Sequence, residues 1–181
     1  MNRRNLAWRM ATLLCLAWAG SAFAAARAPA GASAEPPALL LPVQGIAASA
    51  LRDTFGDDRD SGQRGHEAID ILAPTGTPVL AVDDGRIVKL FLSQPGGITV
   101  YQFDPTSRFA YYYAHLDRYA DGLAEGQLVR RGSVIGYVGA TGNARADAPH
   151  LHFAIFRLGP EKQWWKGEPV NPFPYLGGKL P

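Results

Sequence analysis

From residue 78 to residue 156 the chain alternates short runs rich in β-branched and aromatic residues with clusters of Gly, Pro and Asp. The runs cover 78–82, 86–92, 98–103, 109–115, 133–138 and 150–156. The breaks include Asp84-Gly85, Gln94-Pro95-Gly96-Gly97, Asp104-Pro105 and Arg131-Gly132. Runs of this length bounded by turn formers predict an all-β domain built of hairpins. One short helix is expected, around 118–123, and no internal repeat or heptad pattern is visible. Residues 25–42, dominated by Ala and Pro with few charges, cannot bury enough surface to offset chain entropy. They are expected to be a leader or the first wrap of a single domain over 43–181.

The start of the chain has a different pattern. Arg3, Arg4 and Arg9 precede an apolar run over 11–19 and the small-residue stretch Ala22-Phe23-Ala24, the layout of a cleavable secretory signal. The run is shorter than the ~20 apolar residues a spanning helix needs. With 1–24 removed, a soluble monomer that is periplasmic or secreted is expected, without membrane insertion. Retention of the signal as an anchor is the alternative, while Leu13 and Leu14 before Cys15 argue against lipidation there. Cys15 is the only cysteine, so the mature domain must fold without disulfides. Three of the 18 Lys and Arg lie in the signal, leaving 15 against 16 Asp and Glu, a net charge of −1. No basic excess points to nucleic acid or an anionic membrane as the partner.

Candidate chemistry is concentrated in three segments that hold all four histidines. Read as a strand, His66-Glu67-Ala68-Ile69-Asp70-Ile71 puts His66, Ala68 and Asp70 on one face and Ile69 and Ile71 on the other. A helix would also join i and i+4, but Pro74, Gly76 and Pro78 follow at once. In His150-Leu151-His152-Phe153 both imidazoles share one face and the apolar pair takes the opposite one. Tyr111, Tyr113 and His115 share a face by the same alternation. Such side chains offer the N and O ligands that zinc accepts, and a catalytic site keeps a position open, so three protein ligands are expected. Four histidines and Asp70 exceed that number, so some histidines must do something else. An unliganded imidazole beside a metal site, such as His115, is suited to shuttling protons.

The motifs around these residues resemble the lysostaphin-like (LytM-type) zinc endopeptidases that cut peptide bonds in bacterial peptidoglycan. The family's His-x-Gly-x-Asp and Pro-x-Gly-Thr-Pro-Val are matched by His66 to Asp70 and by Pro74 to Val79. Its Tyr-x-His-Leu is matched by Tyr113 to Leu116, its Val-x-x-Gly-x-x-Ile-Gly-x-x-Gly-x-Thr-Gly by Val129 to Gly142, and its His-Leu-His-Phe by His150 to Phe153. The resemblance runs from about Gly45 to Leu176. It implies an all-β fold, an antiparallel sheet sandwich or groove of the duplicated-hybrid-motif type with few short helices. It further implies Zn2+ held by His66, Asp70 and His152, with His115 and His150 as the unliganded catalytic pair and peptidoglycan stem peptides as the substrate.

Two positions depart from the family pattern. Ala68 stands where Gly is usual, on the expected metal face, and 57–64 contains no aromatic residue where some members have an oxyanion-stabilising tyrosine. Tyr111 to Tyr113 read as strand packing, and Trp164-Trp165 as a groove lining or a cover for the core edge. The expected reaction is zinc-dependent hydrolysis of peptide cross-links, at the D-alanyl–diaminopimelate bond for a small exported enzyme without a wall-binding module. Glycine-bridge cleavage is the alternative bond. A non-catalytic activator of another wall hydrolase is the rival in a different class, and a phosphocarrier of similar fold is opposed by the export signal.

Overall fold

The computed structural model describes residues 35–59 and 64–177; the expected signal and most of the Ala/Pro-rich leader lie outside them. The described residues form eleven strands: β1 (Asp58–Arg59), β2 (Arg64–Gly65), β3 (Ile69–Leu72), β4 (Pro78–Leu80), β5 (Gly85–Ser93), β6 (Gly97–Phe103), β7 (Phe109–Tyr119), β8 (Leu128–Val129), β9 (Val134–Val138), β10 (His150–Leu158) and β11 (Gly167–Val170). Two 3-10 turns, Ala48–Ala50 and Phe173–Tyr175, are the only helical pieces among them. β1 and β2 make a small ribbon, and the other nine strands form one antiparallel sheet in the order β11-β10-β7-β6-β5-β8. β3 pairs with the first half of β10, while β9 pairs with the last part of β7 and carries β4 on its other edge. The expected all-β antiparallel architecture is the observed one.

The turn residues account for the hairpins. Asp104, between β6 and β7, accepts hydrogen bonds from the backbone N–H groups of Thr106, Arg108 and Phe109 at 3.0, 2.6 and 2.7 Å, so the carboxylate folds the connection itself. The helix expected at 118–123 does not form. β7 continues through Tyr119, pairing Arg118 with Tyr137 and Tyr119 with Gly136. Ladder bonds along a whole strand outweigh the weak propensity of a six-residue helix.

The sheet separates two apolar layers. The main core collects Ile69, Ile71, Val79, Ile87, Val100, Tyr111, Tyr113, Leu116, Leu151, Phe153 and Ile155. The Tyr113 hydroxyl is satisfied there, donating to Gln102 Oε1 at 2.8 Å and accepting from the Val82 N–H at 3.1 Å, whereas the buried Tyr111 hydroxyl has no hydrogen-bond partner among the described residues. A smaller cluster of Phe103, Ala110 and Leu158 is covered by Val88, Phe156 and Trp164. The segment from Glu35 onward lies on the domain as a first wrap. Leu39 is fully buried and bridges to Leu176, and Glu35 accepts from Arg157 and from the Tyr175 hydroxyl.

Candidate metal centre

β10 and β3 run side by side, with His152 opposite Asp70 and His150 opposite Leu72. Alternation along β10 sends Leu151 and Phe153 into the core and leaves both histidines on the groove side, as the sequence pattern predicts. β3 begins only at Ile69, so strict alternation does not extend back through His66. His66 and Asp70 still line one groove, together with Glu67, whereas Ala68 is fully buried and does not line it. This corrects the expectation that Ala68 occupies the metal face. The methyl that replaces the family's glycine is accommodated within the protein.

Three ligand atoms converge. His66 Nε2, Asp70 Oδ1 and His152 Nδ1 form a near-equilateral triangle with sides of 3.1, 3.1 and 3.0 Å. The His66 Nδ1–H donates to the Thr54 carbonyl at 2.9 Å. That bond fixes the tautomer and turns the Nε2 lone pair toward the carboxylate. Thr54 holds the second ligand as well, because its hydroxyl accepts from the Asp70 N–H at 3.2 Å. Two electron-rich atoms 3.1 Å apart repel unless a positive charge lies between them, and a cation touching all three satisfies them together. Ligands of a tetrahedral zinc lie about 3.3–3.6 Å apart, so the triangle needs to open by only a few tenths of an ångström. The donor set of two imidazoles and one carboxylate fits that metal. These three are also the group among the described residues whose ligand atoms cluster as a metal site would require.

The other two histidines face this triangle. His115 and His150 have ring centroids 4.9 Å apart, and His115 lies 5.6 Å from the His152 ring. The His115 Nδ1–H donates to the Thr141 carbonyl at 2.8 Å, and the His150 Nδ1–H to the Ala148 carbonyl at 2.9 Å. In the neutral form of either ring these bonds place the proton on Nδ1 and leave the Nε2 lone pair available. His150 Nε2 lies 3.8 Å from Asp70 Oδ1. Burial pushes the His115 pKa down to about 4, helped by the neighbouring His150 and His152 rings and opposed by the Thr141 bond. Burial also lowers His152. Burial alone would raise Asp70, but hydrogen bonds and charge from His152 and His66 outweigh it, holding the carboxyl well below the usual range.

His115 reaches the groove by a route that simple alternation does not give. Its φ is 61°, and two residues of β7, Ala114 and His115, stand opposite the single Thr99 of β6, between the pairs Val100–Tyr113 and Ile98–Leu116. This β-bulge reverses the side-chain parity. Tyr111 and Tyr113 are buried in the main core, while His115 joins Tyr112 in the groove. The expectation that Tyr111, Tyr113 and His115 share a face is thus overturned. Tyr112, expected to be strand packing like its neighbours, lines the groove. Thr54, Thr141 and the Ala148 carbonyl were not singled out from the sequence; Thr141 falls inside the Gly-x-Thr-Gly motif, but nothing near Thr54 signals its role. The groove has a volume of about 590 Å³ and is open to solvent, with Asn143 and Arg145 also lining it.

An all-β groove floored by a convergent two-histidine, one-carboxylate cluster, with two further imidazoles beside it, defines a hydrolase of the metallopeptidase class. The model of peptidase family M23 matches residues 64–172, and the chain belongs to that family, which is zinc-dependent. An L-Ala--D-Glu endopeptidase of Bacillus subtilis is 34% identical over 131 residues, covering 69% of this chain and 39% of its own length. A DD-carboxypeptidase/endopeptidase of Neisseria meningitidis is 41% identical over 108 residues, covering 59% and 22%. The chain therefore spans about two-fifths or less of these relatives. The crystal structure of the catalytic domain of lysostaphin from Staphylococcus simulans superposes with a TM-score of 0.58 at 27% identity, covering 69% of this chain and 90% of that domain.

Proposed function

We propose that this chain is a zinc endopeptidase that hydrolyses peptide cross-links of bacterial peptidoglycan, with the D-alanyl–diaminopimelate bond as its target. One observation carries the reading: the triangle of His66 Nε2, Asp70 Oδ1 and His152 Nδ1 lies in an open groove that two further imidazoles, His115 and His150, also line. In this reading His66, Asp70 and His152 hold the metal. When bound, zinc supplies Lewis acidity and lowers the pKa of a water toward ~7.

The remaining steps belong to the protein. Thr54 orients His66 and Asp70, so the ligand set is arranged before substrate arrives. Nε2 of His115 or of His150 accepts the proton released on attack, and the resulting imidazolium returns it to the leaving amine. The second imidazole lies within one ring contact of the first; protonated on Nε2 as the imidazolium, it donates to the oxygen that gains charge. The groove, about 590 Å³ and open to solvent, has room for a peptide. Relatives named for DD and for L-Ala--D-Glu activity support a peptidoglycan peptide as the substrate class. The 41% identity to the DD enzyme supports the D-alanyl bond.

The test is digestion of purified cross-linked muropeptides and of pentaglycine side by side, with mass spectrometry of the products. Cleavage at the D-alanyl–diaminopimelate bond is the expected result. Products cut only between L-Ala and D-Glu, or only within pentaglycine, would overturn the bond assignment.

A further inference from the structure

The groove side of the sheet carries a run of aromatic rings that the hydrolytic chemistry does not use. Tyr112 stands edge-on to His152 with centroids 6.0 Å apart. Tyr101 packs on Tyr112 at 4.6 Å, Trp164 packs on Tyr101 at 4.8 Å, and Phe91 and Trp165 each touch Trp164, at 5.3 and 5.2 Å. Tyr101 is opposite Tyr112, Tyr112 is opposite Ala154, and Phe91 is opposite Thr99. Opposed residues project on one face, so these side chains rise from the same side of the sheet as His152. Trp164, in the loop between β10 and β11, lies over them and covers the smaller apolar cluster.

The ladder ends in solvent. Trp165 is 60% exposed and Phe91 38%, while Tyr101, Tyr112 and Trp164 beneath them are half-buried. Mutual edge contacts hold each ring, so the exposed faces are presented rigidly and little entropy is lost when something stacks on them. An exposed patch of large aromatic rings beside a ligand groove marks a binding surface.

We propose that Phe91, Trp164 and Trp165 form a subsite on which a pyranose ring of the glycan strand stacks while its peptide lies across the metal centre; this rests on the peptidoglycan reading above. The rings are uncharged. They suit a ligand with one apolar C–H face and hydroxyls at its rim, and they offer no counter-charge to the carboxylates and amines of a stem peptide. The length also fits. His152 and Trp164 are at most about 15 Å apart along ring centroids separated by 6.0, 4.6 and 4.8 Å. An extended peptide advances about 3.3–3.6 Å per residue, so the four or so residues between a cross-link and its sugar span that distance.

The experiment compares kcat/KM for cross-linked muropeptides that retain their disaccharide with kcat/KM for the same peptides freed of sugar by an amidase. In parallel, intrinsic tryptophan fluorescence is titrated with the free disaccharide of N-acetylglucosamine and N-acetylmuramic acid. The full chain prefers the sugar-bearing substrate by about tenfold, the scale of one good aromatic contact, and the disaccharide changes its fluorescence. Trp165→Leu, checked for folding by circular dichroism, loses the preference and the disaccharide response, while Trp165→Tyr keeps the preference. Equal kcat/KM on both substrates in the wild type overturns the proposal, as does a preference that survives Trp165→Leu. A preference carried by sugar-free peptides and abolished when their amines are acetylated would assign the rings to cation binding and overturn it too. If no muropeptide is cut but the disaccharide response is present and depends on Trp165, the peptidase reading fails and the sugar subsite stands.

Discussion

His115 is held in a backbone conformation that non-glycine residues seldom adopt, with φ at 61°. Such a residue costs on the order of 1–3 kcal/mol and persists only where its surroundings over-determine it. Here the Gly96 carbonyl accepts from its backbone N–H at 2.8 Å and the Thr141 carbonyl accepts from its ring. The return on that strain is an imidazole in the groove rather than in the core. Strand alternation cannot anticipate this, because the groups that fix the bulge come from two other parts of the chain. The same burial has a consequence for acid stability. The His115 pKa falls from 6.5 in the unfolded chain to about 4 when folded, so between those values the unfolded state binds the extra proton and stability rises with pH. Lowering the pH of metal-free protein from 6.5 to 4 should remove on the order of 3 kcal/mol from this group. His115→Asn should flatten the Tm-against-pH profile in that window; an unchanged slope would contradict the assignment. In the metal-loaded enzyme His115→Ala should lower kcat by about 10²–10⁴, the usual share of a general acid–base group, with the Tm little changed near neutral pH.

The elements that set His115 are the β5–β6 turn and the loop after β9. Gly97 (φ 64°) and Gly142 (φ 75°) pack backbone to backbone, and a Cβ on Gly142 would collide with the chain from Pro95 to Gly97. Thr141 ties the pair to β7 and β6: its hydroxyl donates to the Leu116 carbonyl at 2.7 Å and accepts from the Ile98 N–H at 3.0 Å. The Thr-Gly of the sequence motif thus works as a bracket for the His115 side chain, 26 residues away. Gly142→Ala should destabilise the domain by about 1–3 kcal/mol and reduce kcat without releasing metal. Denaturant unfolding and kcat measured on one preparation check both effects. Element identity was largely readable from the chain: six expected strands all occur. The short β1, β2, β8 and β11 were not, because two- to four-residue strands leave no periodicity. The false helix at 118–123 arose because a pairing with β9 is invisible in the local pattern.

At the scale of the whole molecule, the all-β class and the histidines and Asp70 of the groove were legible because hairpin punctuation and histidine spacing are local signals. The joining of β3 to β10, which brings Asp70 opposite His152 from 82 positions away, is a non-local pairing that spacing alone does not dictate. The strap from Glu35 to Pro42 was legible only as one of two alternatives, a leader or the first wrap of the domain. Its Ala and Pro composition does not choose between them; the structure does, because Leu39 is buried and Leu40 donates to the Val82 carbonyl at 2.9 Å. Because the proposed metal ligands Asp70 and His152 come from both partners of the β3–β10 pairing, bound metal should stabilise the folded chain by mass action, and chelation should lower the Tm reversibly. The most direct test of the account is the zinc content per chain, measured by mass spectrometry of the purified wild type, Asp70→Ala and His115→Ala proteins. The prediction is one zinc per chain in the wild type and in His115→Ala, and none in Asp70→Ala; zinc retained by Asp70→Ala, or lost from His115→Ala, would contradict it.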